Sequence, residues 1–190
     1  MKTIAYSLMC MLFLSAGCEK ASPGPESSEQ VAISLHYDIS IKDLKGNDLL
    51  NPENEAAIKP KDIDIYYLKG RVKEKVYHPN YDAPENFFIA QKEDGSGQYY
   101  MRVFVSDHMN SNSISTTYIE FDGWGTDTLT AKIHKQGAVT AATIAWYNGD
   151  LKIDTVIQSK SPRSFEIVIN SLALSRAFCR PPGSLPPAVA

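Results

Sequence analysis

The chain reads as an all-β protein, an antiparallel sandwich of about seven to nine strands. Three observations carry this. Val31, Ile33, Leu35, Tyr37, Ile39 and Ile41 alternate with polar or small residues over eleven positions, the period of a strand with one buried face. Asn148-Gly149 sits between two apolar-rich runs and supplies the two positive φ values of a type I′ hairpin. Turn residues recur at the spacing of a sandwich, and no amphipathic helix interrupts them.

The elements follow in order. Asp43-Leu44-Lys45-Gly46-Asn47-Asp48 ends the first strand, and Asn51-Pro52-Glu53-Asn54 continues the loop. Residues 43–60 have room for a short helical turn. Ile63, Ile65 and Tyr67 alternate again before Gly70. Val72, Glu74 and Val76 form a more polar run suited to an edge, where charge discourages unwanted pairing. Pro79 and Pro84 mark a loop, and Phe87 to Gln91 is a short apolar run. Asp94-Gly95-Ser96-Gly97 turns the chain into a strand at Tyr99 to Ser106. Ser113 to Phe121 is rich in Thr, Tyr and Ile. Asp122-Gly123-Trp124-Gly125 turns into a strand bearing Leu129, Ala131 and Ile133. In the Asn148-Gly149 hairpin a two-residue loop pairs Tyr147 with Asp150 and Trp146 with Leu151. Carried on, that register sets Ile144 against Ile153 and Ala142 against Thr155, and places Trp146 in the core. Phe165, Ile167 and Ile169 begin the last strand.

The flanks differ in composition. Met1 to Gly17 has Lys2, an apolar run from Ile4 to Leu14, and small residues. The run is shorter than the roughly 20 residues that span a bilayer, and the pattern is that of a secretory signal. Residues 18–30 are rich in Pro, Gly, Ser and Glu and suit a flexible tether. Residues 31–170 are the sandwich. Residues 171–190 hold Pro181, Pro182, Pro186 and Pro187, which oppose regular structure in a tail.

Leu14-Ser15-Ala16-Gly17-Cys18 resembles a bacterial lipobox. The resemblance implies a diacylglycerol on the Cys18 thiol, cleavage before it and acylation of the new amine. Cys18 would then hold the protein on a membrane, since one acyl chain alone binds only marginally. An Asp after the lipidated cysteine is the usual inner-membrane retention signal. Glu19 stands there instead, which implies the outer membrane. Lys45 to Pro52 with Ile63 to Tyr67, and Trp146 to Leu151 with Phe165 to Val168, resemble uncharacterised Bacteroidetes-type lipoproteins. That resemblance implies an envelope placement and an immunoglobulin-like or transthyretin-like sandwich. It transfers no catalytic residue.

The charge excludes one class of partner. Lys2 leaves with the leader, so the 19 basic residues become 18 against 22 acidic ones, a net −4. A mildly acidic chain without a basic block is unsuited to nucleic acid. With Cys10 in the leader and Cys18 lipidated, Cys179 is left without an internal disulfide partner. It is either a free thiol or a pairing point between molecules.

Few residues suggest chemistry. His36, His78, His108 and His134 show no metal-ligand spacing. Asp43, Lys45, Asn47 and Asp48 offer oxygens to a hard cation, but lack the EF-hand spacing and match ordinary turn chemistry. No nucleophile elbow or phosphate loop occurs. Asp62 and Asp64 share one face of a strand, which alternation with Ile63 and Ile65 turns to solvent. No cofactor or metal is expected. The aromatic feature to follow is Trp124, at a hairpin tip between Gly123 and Gly125. An exposed ring there stacks on a sugar or on a partner's apolar surface, with Tyr66, Tyr77, Tyr81 and Tyr100 as additions. The alternative is that Trp124 folds back over the end of the sandwich. The sequence thus favours a non-enzymatic binding or assembly module for glycan or protein, against a purely structural surface component or an enzyme whose site is assembled only by folding.

Overall fold

The computed structural model describes residues 32–155 and 163–169. The leader, the tether, the tail after Ile169, Cys18 and Cys179 lie outside them. Eleven strands are present: β1 (Ala32–Ser34), β2 (His36–Asp43), β3 (Ile63–Lys69), β4 (Val72–Lys75), β5 (Phe87–Gln91), β6 (Tyr99–Phe104), β7 (Ile114–Phe121), β8 (Gly125–Gln136), β9 (Val139–Tyr147), β10 (Asp150–Asp154) and β11 (Ser164–Ile169). The only helical turn among the described residues is a 3-10 turn at Pro60–Asp62, and no helix among them is long and apolar enough to cross a membrane.

The strands form two sheets. The larger runs β1-β9-β8-β7-β3-β4 with β10 also on β9, and the smaller runs β11-β2-β6-β5. Ile63, Ile65, Ile119, Phe121, Leu129, Ala131 and Ala145 face inward from the large sheet. Tyr37, Ile39, Ile41, Met101, Val103 and Ile167 face inward from the small one, all buried in one cluster. Leu49, Leu50 and Ile58, from the long connection after β2, join the same core. At Tyr37 to Ile41, Ile63 to Tyr67 and Leu129 to Ile133 the apolar positions of the alternation read from the sequence are core positions.

Three expectations need correction. First, the sandwich is mixed rather than purely antiparallel: β1 runs parallel to β9, and β11 parallel to β2. Second, the long first run of alternation is two strands. The chain leaves the large sheet after Ser34 and enters the small one at His36. Ile33, on the three-residue β1, is 69% exposed as a result. Third, the Asn148-Gly149 hairpin begins in the expected register and then departs from it. Tyr147 pairs with Asp150 and Trp146 with Leu151, but a bulge follows and Ile153 pairs with Ala145. The bulge lets Ile153 turn inward while Leu151 stays out, 56% exposed. Tyr147, with its hydroxyl on Asp127 at 2.7 Å and its ring 5.7 Å from that of Phe165, takes the core position. Trp146 is on the outer face and half-buried, not in the core.

The turns repeat the sequence chemistry. Asn148 has φ 51 and Gly149 φ 88, both positive as a type I′ turn requires. The Asn148 side chain accepts from the Thr128 amide and donates to Asp127, tying the hairpin to β8.

Candidate functional site

Three connections cross between the sheets at one end of the sandwich: the step at Leu35, the loop from β4 to β5, and the loop from β6 to β7. A cleft of about 1000 Å³ opens among them. Its apolar wall is Ile33, Leu35, Phe88, Phe104 and Val105, and its polar groups include Asn80, Asp82, Asn86, Asp107 and His108. A mostly apolar concavity with a few directed polar groups is the usual form of a small-ligand site.

The floor is fixed by hydrogen bonds. Tyr67 reaches from the large sheet to donate its hydroxyl to the Phe104 carbonyl of the small sheet, 2.8 Å away. The same hydroxyl accepts from Asn86 Nδ2 at 2.8 Å. Asn86 holds φ 54, a conformation Asn tolerates better than most residues, and this starts β5 with its amide turned toward Tyr67. Burial pushes the Tyr67 phenol up to about 12, with the Asn86 hydrogen bond opposing. Tyr67 is therefore a neutral, oriented strut between the sheets.

The rim is aromatic. His78-Pro79-Asn80-Tyr81 is a turn closed by the Tyr81 amide on the His78 carbonyl at 3.0 Å, with Pro at the position where its fixed φ suits a turn. That turn stacks the His78 and Tyr81 rings, centroids 4.8 Å apart at 29°. A second bond, His78 amide to Pro84 carbonyl at 2.7 Å, holds the loop closed. Tyr81 stays 62% exposed, so the pair presents a ring at the mouth of the cleft.

The residues singled out from sequence are scattered. Trp124 lies at the other end of β3 and β7, in the three-residue turn closed by the Phe121–Gly125 pair. It is half-buried and packs against the core, beside Tyr147 and Asp127 in a smaller cleft of about 520 Å³. It folds back rather than standing free at the hairpin tip. Tyr66 lies under Lys73, whose Nζ is 4.5 Å from the ring centroid. Tyr100 flanks Arg102 on the outer face of the small sheet. Tyr77 is 62% exposed, but only Tyr81 of the tyrosines named with Trp124 lines the large cleft. His78 and His108 line that cleft, whereas His36 packs edge-on to Phe104 and His134 lies near Gln136.

The oxygens of the first loop are occupied by the loop itself. Asp43 accepts from the Lys45 and Asn47 amides and from Asn47 Nδ2 at 2.7–2.8 Å. The Asn47 side chain is the main reason its carboxyl is held below the usual carboxylate range. Asp48 accepts from the Leu50 amide and, across 51 residues, from the Tyr99 amide. Both carboxylates do turn work. Among the described residues no three His, Cys, Asp or Glu side chains converge to hold a metal ion.

Sequence reasoning missed the cleft because its walls come from segments near 33–35, 67–69, 78–88 and 104–108, joined only by the crossings. The available signal was Pro79 with Tyr81: a rigid loop carrying an aromatic that strand alternation does not bury. Comparison with protein-family models, with curated proteins and with solved structures finds no match.

Proposed function

We propose that this chain is a lipid-anchored lipoprotein of a Gram-negative outer membrane and a non-enzymatic binding module, with a glycan as ligand of the end cleft. The observation that carries the ligand reading is the stacked His78–Tyr81 pair with its exposed ring at the mouth of an apolar-walled cleft. An aromatic face packs against the C–H face of a sugar. Asn80, Asp82, Asp107 and His108 supply hydrogen-bonding groups for hydroxyls. The anchoring reading rests on Leu14 to Cys18 and Glu19.

A glycan-array screen with protein starting at Gln30 tests the ligand reading, run beside Tyr81→Ala and Trp124→Ala. Binding weakened about fivefold in Tyr81→Ala and kept in Trp124→Ala is expected, since a stacked aromatic contributes about 1 kcal/mol. Binding that depends on Trp124 instead moves the site to the opposite end. No binding in any form refutes a glycan ligand. Acyl labelling of the full chain against Cys18→Ser tests the anchor, with the label expected to vanish in the variant.

A further inference from the structure

The small sheet ends on one side at β5, and β5 lacks the features that guard an open edge. The large sheet's edge strand β4 is Val72-Lys73-Glu74-Lys75, exposed throughout, and charge of this kind blocks edge-to-edge pairing. The β5 strand is Phe87-Phe88-Ile89-Ala90-Gln91, with neither charge nor proline.

The phase of its hydrogen bonds follows from its neighbours. Opposed residues in an antiparallel ladder alternate between pairs that exchange two bonds and pairs that exchange none. The Phe104 amide donates to the Asn86 carbonyl at 2.9 Å, and the Lys92 amide to the Gln98 carbonyl at 2.7 Å. With Phe88 opposite Arg102 and Ala90 opposite Tyr100, the even-numbered residues from Asn86 to Lys92 direct their backbone toward β6. Phe87, Ile89 and Gln91 therefore point their N–H and C=O groups out of the sheet.

We propose that β5 is a homodimer interface, in which two copies pair antiparallel about a two-fold axis at Ile89. The two small sheets become one continuous sheet. Phe87 then opposes the partner's Gln91, and Ile89 opposes the partner's Ile89. All three outward residues of each copy sit in bonded pairs, so every outward N–H and C=O between Phe87 and Gln91 is satisfied. A shift by two residues leaves one of the three outside the ladder. On the outer face Phe88 falls opposite the partner's Ala90, a large side chain beside a small one. Ile89, only half-buried in one copy, is covered by its own counterpart. The paired segment itself contains no charge, and Lys92 just beyond it faces the partner's Asn86; Glu93 comes opposite the partner's Glu85 one step further, outside the strand at both ends. An isologous contact uses the edge in both copies and stops the assembly at two.

Gln91→Pro tests this. Gln91 is exposed, and its amide points away from β6, so proline removes an outward donor without breaking the sheet. Gln91→Ala keeps the donor and is the control. The full chain is studied by sedimentation equilibrium in density-matched detergent micelles, with hydrogen exchange followed over 87–91. The wild type and Gln91→Ala are expected to double in mass as concentration rises into the high micromolar range, with exchange at 87–91 slowing in step. Gln91→Pro is expected to weaken association about tenfold or more, since two of the new bonds are lost by symmetry. A wild type that stays monomeric overturns the proposal. So does a dimer that persists in Gln91→Pro, or one that forms without protecting 87–91; the last comparison needs no variant to fold.

Discussion

Two buried tyrosines make opposite predictions from the same substitution. Tyr37 and Tyr67 face each other's sheets, and both phenols are pushed up to about 12 mainly by burial. The Tyr37 side chain is fully buried, and its hydroxyl has no hydrogen-bond partner among the described residues. The Tyr67 hydroxyl has two, the Phe104 carbonyl and Asn86 Nδ2. Removing an unpartnered buried hydroxyl relieves a desolvation penalty of about 1–3 kcal/mol, partly offset by lost packing. Tyr37→Phe is therefore expected to leave stability unchanged or raise it by up to about 1 kcal/mol. Tyr67→Phe removes two bonds worth about 1 kcal/mol each and leaves a carbonyl short of a donor, so it is expected to lower stability by about 2 kcal/mol. Urea titration with the slope held constant reads both. The same pair predicts the alkaline limb. A phenol whose folded pKa is raised above its unfolded value of about 10 binds its proton more tightly when folded, so its contribution is complete below about pH 10 and is lost as pH rises toward 12. Each tyrosine contributes about 2–3 kcal/mol to that loss, and Tyr37→Phe should remove its own share. A loss of more than about 1 kcal/mol in Tyr37→Phe at neutral pH would refute the reasoning, because it would mean the hydroxyl is bonded.

Further outcomes follow from the turns. Gly149→Ala places a side chain at φ 88, where the surrounding space is open. The cost is therefore backbone strain alone, about 1 kcal/mol by urea titration. Asp43→Ala removes the acceptor of three bonds in the first loop, and a lower melting temperature is expected. The wild-type Asp43 contribution is present at neutral pH and is lost as pH falls through its depressed pKa. Added calcium is expected to leave the melting temperature of the wild type unchanged, since the loop's carboxylates are already engaged.

Local pattern reads correctly where local forces decide. Alternation at Tyr37, Ile39 and Ile41 places each in the core, because one sheet face is dry and the other wet. Asn148-Gly149 turns as expected, because φ preference belongs to those two residues. What the sequence hid is what the tertiary structure imposes. Alternation continues unbroken through Leu35 although the chain changes sheets there, since either sheet accepts the same period. Tyr147 rather than Trp146 faces the core because it pairs with Leu129 on β8, and the bulge after Leu151 then brings Ile153 to that same face; nothing in the run Trp146-Tyr147 states which ring the core prefers. For Trp124 the turn left two readings, a ring free at the tip or a ring folded back over the end of the sandwich, and the Phe121–Gly125 closure takes the second. The cleft was legible only as the loop of Pro79, Tyr81 and Pro84, and its other walls follow from which sheet each strand joins.

The change of sheet at Leu35 gives the N-terminal end of the domain a defined response to load. A pull on the chain before Ala32 first meets β1, three residues held along β9. Those few bonds can peel away without exposing the core, because Ala32 and Ile33 are already exposed. Force then arrives at His36, on a strand bonded on both flanks, by β11 in parallel and β6 in antiparallel. Arg163 clamps the Ser34 carbonyl at the entry, and Arg102 grips Asp38 with two bonds beside it. A pull directed along β2 would load the ladder bonds on both its flanks in shear, together rather than one by one. The short first strand thus acts as a fuse of low strength in series with an anchorage of high strength.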